Sequence, residues 1–153
     1  MSIVGHGIDL IECARIAKVL ERHGQRFLDR ILTQAEQQRA RQFNDPIPFI
    51  AGRFAAKEAI LKVIGTGWRG NIAWTDMEIL LDALGRPVVS LAGETARQAE
   101  RLGIHRVLLS ITHTSEIAAA SAIGLSGEGE APAEPTKDAR PSDFGSPGGS
   151  PSR

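Results

Sequence analysis

A glutamate and a lysine one helical turn apart, set in an otherwise apolar run, are the most conspicuous chemical groups of this chain. The run covers residues 49–64, FIAGRFAAKEAILKVI, and only Arg53, Lys57, Glu58 and Lys62 interrupt its apolar character. At about 100° per residue, Glu58 and Lys62 share a face, and Arg53 and Lys57 form a second pair nearby. Two readings stay open. An i,i+4 ion pair would do no more than solubilise an exposed stripe. Alternatively, a carboxylate for a metal stands beside a lysine for phosphate. Asp9, at the end of the apolar segment Gly5-His6-Gly7-Ile8-Asp9, offers a second carboxylate. It could cap the next helix, or join Glu58 on a cation, because Mg²⁺ favours one or two carboxylates plus substrate phosphates and waters.

Gly65-Thr66-Gly67 follows Lys62 closely. Gly65 suits the C-terminal end of a helix, and two glycines also let a phosphate approach the backbone. The spacing is not that of a Walker loop. The helix presents its negative end here, so its dipole gives an anion no help. His113 falls in an expected turn, among the hydroxyls of Thr112, Thr114 and Ser115. It reads either as an ordinary polar turn residue or as part of an anion site. Cys13, the lone cysteine, has no recognisable base partner, forms no internal disulfide, and suits a reducing compartment.

The elements that must position these groups can be read from periodicity. Residues 2–10 predict a first strand. Ile16, Val19 and Leu20 sit at helical spacing, as do Phe27, Leu28, Ile31 and Leu32 beyond Gly24. Thr33-Gln34-Ala35-Glu36 matches a capping box and opens another helix to about residue 42. Pro46 and Pro48 break the chain. Residues 49–64 then form the strongest helix, apolar round most of its circumference and therefore central. Residues 74–81 and 87–91 predict a hairpin, 93–102 a short amphipathic helix, and 107–112 with 117–123 a second hairpin. The order βααα-ββ-α-ββ implies an α+β fold with a largely antiparallel sheet packed with a long central helix.

The chain has 153 residues, 42% of them apolar, and 18 bases against 18 acids. That length favours one domain. Residues 126–153 carry five of the eight prolines, with Phe144 their only large apolar side chain. They read as a disordered tail after a folded domain of residues 1–125. Without the tail, 15 bases face 13 acids, too slight an excess for a nucleic-acid binder. No apolar stretch approaches the length of a membrane span, and the N-terminus lacks a signal-peptide pattern. A cytoplasmic protein is expected.

Taken together, several segments resemble the holo-acyl-carrier-protein synthase family, the small trimeric type of 4'-phosphopantetheinyl transferase. They are Gly7-Ile8-Asp9-Leu10-Ile11-Glu12 with Arg15-Ile16, Arg30-Ile31-Leu32-Thr33 with Glu36, and Phe49-Ile50-Ala51-Gly52-Arg53-Phe54-Ala55-Ala56-Lys57-Glu58-Ala59 continuing to Lys62 and Gly65-Thr66-Gly67. Gly85-Arg86-Pro87 and Ser110-Ile111-Thr112-His113-Thr114 follow. Any one of these is weak; the ordered set, across about residues 3–123, is specific.

The resemblance implies transfer of 4'-phosphopantetheine from coenzyme A to a serine of apo-acyl-carrier protein, releasing adenosine 3',5'-bisphosphate, in support of fatty acid biosynthesis. It implies that Asp9 and Glu58 hold Mg²⁺ and that Lys62 contacts phosphate and assists the leaving group. Arg53, Lys62, Gly65, Thr66, Gly67 and His113 would contact coenzyme A. Arg15 and Arg26 would meet the carrier protein, which is typically acidic; Arg26 and its neighbour Arg30 fit equally well on a plain solvated helix face. The family works as a homotrimer with sites between subunits. The tail of residues 126–153 is additional to the family's usual core. Two rival readings are a non-catalytic coenzyme A or nucleotide-binding module and another Mg²⁺-dependent pyrophosphate-cleaving enzyme.

Overall fold

An 18-residue helix that is apolar round most of its circumference can be stable in water only if other elements surround it, and that requirement organises the molecule. The computed structural model describes residues 1–65 and 71–127. The elements are β1 (Ile3–Glu12), α1 (Cys13–His23), α2 (Gln25–Ile31), α3 (Gln34–Ala40) and α4 (Ile47–Ile64). A 3-10 turn (Trp74–Asp76), β2 (Met77–Leu81), β3 (Pro87–Leu91), α5 (Gly93–Arg101), β4 (Ile104–His113) and β5 (Ile117–Ser126) complete them. The α+β class expected from the sequence is correct. Among the described residues all strand pairing is antiparallel, in a three-stranded sheet ordered β1-β5-β4 and a separate β2-β3 hairpin.

One helix more is present than the sequence suggested. The segment containing Ile16 and Phe27 divides at Gly24, whose φ of 53° and ψ of −132° end α1 and start α2. A side chain rarely adopts that conformation, so glycine sets the break. The capping box forms as expected: Thr33 Oγ1 accepts from the Glu36 amide, and Glu36 Oε2 accepts from the Thr33 amide. β5 continues through Ser126, whose amide donates to the Ser2 carbonyl, one residue into the segment expected as tail. The remainder of that segment, 128–153, lies outside the described residues.

α4 lies against β1 and β5. Ala118, Ala120 and Ala122 of β5 face it and are buried with Ala51, Ala55 and Ala59 of the helix. Small residues let the surfaces approach closely. A Cβ added to Gly7 would lie 2.1 Å from the Ala59 carbonyl oxygen, and one added to Gly5 would lie 2.9 Å from that of Val63. β1 therefore runs antiparallel along α4.

One charged pair is also buried in this core. Lys57 and Glu36 are both fully buried, with Nζ 2.7 Å from Oε2. Arg53 is buried as well. Arg53 and Lys57, the second polar pair on α4, are thus sealed inside the fold and form no exposed stripe. The same helix is surrounded on the side that carries them, and each finds a partner on a different element.

The other face of the three-stranded sheet is uncovered. Alternation along β1 turns His6, Ile8 and Leu10 away from α4; Ile8 and Leu10 are 61% and 62% exposed. Leu108 of β4 and Ile117 of β5 are exposed too, and His6 Nε2 bonds Ser121 Oγ at 2.9 Å. Exposed large apolar side chains thus gather on this sheet face, and a second group, Leu80, Leu81, Leu84 and Val88, lies on the β2-β3 hairpin. Neither group lies on α4, which the chain buries itself.

Candidate active site

The register of β1 against α4 brings Asp9 to Lys62. Gly5 meets Val63 and Gly7 meets Ala59 and Lys62. Two residues further along the same strand face is Asp9, and one turn back along the helix is Glu58. A two-residue strand advance and a helical turn are of similar length, about 7 and 5.4 Å, so Asp9 is carried toward the turn that holds Glu58. Asp9 caps no helix: β1 runs on to Glu12, and α1 begins without a side-chain cap.

Lys62 Nζ donates to the Ile8 carbonyl at 2.7 Å and to Asp9 Oδ1 at 3.1 Å. Its ion pair is with Asp9 across the helix–strand seam. The Lys62 side chain is half exposed, while that of Asp9 is 18% exposed. Glu58 is half-buried. Asp9 Oδ2 accepts no hydrogen bond from any described residue. The donor set suits Mg²⁺ shared with a phosphate substrate. It offers hard carboxylate oxygens, and no third His, Cys, Asp or Glu clusters with them among the described residues to complete a protein cage.

A second group forms around Arg53. Its Nε donates to the Ile79 carbonyl at 3.1 Å, and its guanidinium carbon lies 4.4 Å from the centre of the Phe49 ring. Burial is the main influence holding its pKa below the ordinary value; Glu36 opposes that shift and Arg39 reinforces it. Its two terminal amino groups donate to no described residue. Arg53 lines a cavity of about 270 Å³ with His113, Ser110, Gly85 and Arg39, and with Arg39 it also borders a second one of about 430 Å³ beside Leu80 and Leu81. A buried guanidinium with spare donors is an anion receptor. His113 ends β4, and the turn after it is fixed by Thr114, whose hydroxyl accepts from the Glu116 and Ile117 amides. Arg53 and His113 are thus brought together at the first cavity, whereas Asp9 and Lys62 do not line it.

Gly65 ends α4 in the left-handed conformation, φ 74°, with its amide bonded to the Leu61 carbonyl. Thr66 and Gly67 lie outside the described residues. Arg15 and Arg26 are exposed on α1 and α2. Arg26 borders a groove of about 520 Å³ with Arg30, His23, Phe27, Phe54 and Trp74. Phe54 and Trp74 stack there at 4.8 Å. Arg15 does not line the groove; it stands one turn before Val19, which does. Cys13 is buried, and burial, with Asp45 a smaller influence, raises its thiol pKa, which disfavours the thiolate.

Sequence reasoning missed Arg39 and the apolar floor of the groove at Phe54 and Trp74. Arg39 carries no local signal, because only the packing of α3 near α4 brings it to the Arg53 cavity. Phe54 belonged to an apolar helix and read as core.

The chain matches the family model of the 4'-phosphopantetheinyl transferase superfamily over residues 5–124. It belongs to that superfamily. The holo-[acyl-carrier-protein] synthase of Natranaerobius thermophilus is 45% identical over 121 residues, covering 79% of this chain and 96% of the relative. The Chlamydia pneumoniae synthase is 43% identical over 125 residues, 82% of this chain and 99% of the relative. Among solved structures, the synthase from Neisseria meningitidis superposes with a TM-score of 0.75 at 35% identity, covering 82% of this chain and all of that one. The Bacillus anthracis synthase, described in complex with CoA (3',5'-ADP), has a TM-score of 0.68 at 38% identity, covering 82% and 98%. The matches to these transferases span β1 through β5, so the fold expected from the motifs is the transferase fold.

Proposed function

We propose that this chain is a holo-acyl-carrier-protein synthase, transferring 4'-phosphopantetheine from coenzyme A to a serine of an apo-acyl-carrier protein and releasing adenosine 3',5'-bisphosphate. The observation that carries it is the likeness to synthases over nearly their whole length. In this reading residues 1–125 are the catalytic unit. Arg53 and His113 bind an anionic part of coenzyme A. The spare guanidinium donors supply charge-assisted hydrogen bonds, and Gly65, with Thr66 and Gly67 next in the sequence, would contact coenzyme A as well.

Asp9 and Glu58 would hold Mg²⁺. When bound, the ion supplies charge neutralisation at the pyrophosphate. Lys62 places a mobile ammonium where charge develops on the departing bisphosphate, and Asp9 Oδ1 with the Ile8 carbonyl hold that ammonium in place. The serine proton leaves to Glu58 or to water.

Arg26 and Arg30 present positive charge along a groove floored by Phe27, Phe54 and Trp74, and Arg15 adds an exposed cation one turn before Val19 on α1. That combination suits an acidic carrier helix with an apolar stripe. The uncovered face of β1, β5 and β4 supports self-association, and a homotrimer would let Asp9 of one subunit and His113 of another serve one coenzyme A. A cytoplasmic location agrees with the single buried, unpaired cysteine. Among the described residues no helix is long and apolar enough to cross a membrane.

The test is intact-mass measurement of an apo-acyl-carrier protein incubated with this chain and coenzyme A, with and without Mg²⁺. A gain of one phosphopantetheine only with metal is expected. Coenzyme A binding without transfer to any of several carriers would support a non-catalytic binding module. Pyrophosphate cleavage without a carrier would support a hydrolase.

A further inference from the structure

We propose that Glu36, clamped by Lys57, is a positioning residue that aims the Arg53 guanidinium into its cavity. The inference rests on the reading of Arg53 as a coenzyme A contact.

Glu36 is fully buried and both carboxylate oxygens are used. Oε2 accepts from Lys57 Nζ at 2.7 Å and from the Thr33 amide at 2.8 Å. Oε1 accepts from the Ile79 amide at 2.9 Å. Lys57 Nζ is held in turn by the Ile31 carbonyl at 2.6 Å. A capping box needs only the Thr33 contact. Capping an exposed helix end does not require a fully buried carboxylate or a fully buried lysine, and burying such a pair is expensive.

The Ile79 contact gives the pair its consequence. Ile79 pairs with Val89 in the β2-β3 hairpin. Its amide and carbonyl both engage side chains beyond that hairpin: the amide donates to Glu36, and the carbonyl accepts from Arg53 Nε. One residue of β2 is therefore gripped by two side chains. Glu36 fixes the strand, the strand fixes Nε, and Phe49 supports the guanidinium plane at 4.4 Å. With Nε committed, only the terminal amino groups are left for a ligand. Lys57 and Arg53 lie one turn apart on α4, so both ends of the linkage are anchored to the same rigid element. A purely structural alternative is that Glu36 and Arg53 do nothing but satisfy the edge of β2.

A double-mutant cycle on the full chain separates these. Coenzyme A affinity is measured by calorimetry, and KM for the carrier and the melting temperature are followed alongside, for Glu36→Gln, Arg53→Ala and the double variant. Arg53→Ala is expected to weaken coenzyme A binding, and Glu36→Gln to weaken it about five- to tenfold with little change in KM for the carrier. In the Arg53→Ala background Glu36→Gln should cost nothing further. Unchanged affinity in Glu36→Gln, or losses that multiply in the double variant, would overturn the positioning role while leaving Arg53 as a contact. An Arg53→Ala variant with normal affinity would remove the contact itself and the positioning role with it. Should Glu36→Gln fail to fold, Glu36→Leu with Lys57→Met replaces it in the same cycle, because exchanging both members of a buried pair for apolar residues often preserves stability.

Discussion

Lys62 Nζ stands 3.1 Å from Asp9 Oδ1, joining two residues 53 positions apart in sequence. The pair exists because Gly7 has no Cβ, so β1 can press against the α4 backbone at Ala59. Lys62 is half exposed, so the contact contributes little to stability. Its value is positional. Lys62→Ala is therefore expected to lower kcat by about a hundredfold or more, while the melting temperature stays within a few degrees. Normal kcat would remove Lys62 from the reaction.

The carboxylates should behave differently from the lysine. Glu58→Ala is expected to abolish Mg²⁺-dependent turnover and leave the fold intact. Asp9→Asn should raise the Mg²⁺ concentration needed for half-maximal activity. A Mg²⁺ titration of initial rate checks both, and superimposable curves for Asp9→Asn and the natural chain would count against the shared ion.

Gly7→Ala tests the seam itself. The new Cβ would meet backbone, at 2.1 Å from the Ala59 oxygen, with no flexible side chain to yield. Separation of β1 from α4 should cost about 1–3 kcal/mol, read from urea unfolding. Because Asp9 moves with the strand, activity should fall more than the folded fraction does.

The buried pair makes a pH prediction. Burial pushes the Lys57 ammonium below its ordinary 10.5, and Glu36 pulls it back up. Glu36→Gln removes the opposing charge, so the folded-state value drops further. Between that depressed value and 10.5 the unfolded chain binds a proton that the folded chain releases, and stability then rises with pH. Glu36→Gln should therefore be most destabilised at low pH and recover as pH climbs toward 10. Urea midpoints between pH 6 and 9.5 that shift in parallel with the natural chain would contradict it.

The uncovered sheet face predicts association. Ile8→Lys with Leu10→Glu should convert an oligomer to monomer in sedimentation velocity and reduce transfer if sites span subunits. An unchanged sedimentation coefficient would place the interface elsewhere.

Local order fixed much of this in advance. The apolar run of α4, the Thr33–Glu36 capping box, the two hairpins and the Glu58–Lys62 spacing all depend on residues within a few positions of each other, where periodicity and capping chemistry act directly. Only the tertiary structure decided which charges are buried. Lys57 and Lys62 look alike in the sequence of α4, yet one is sealed against Glu36 and the other reaches Asp9 at the surface. That difference depends on what packs against each side of the helix. The neighbours come from α3, β2 and β1, and a long-range contact leaves no periodic trace in the segment it touches. For the same reason the sequence named Arg53 and His113 but gave no sign that Ile79, an ordinary strand residue, would hold Arg53 in place.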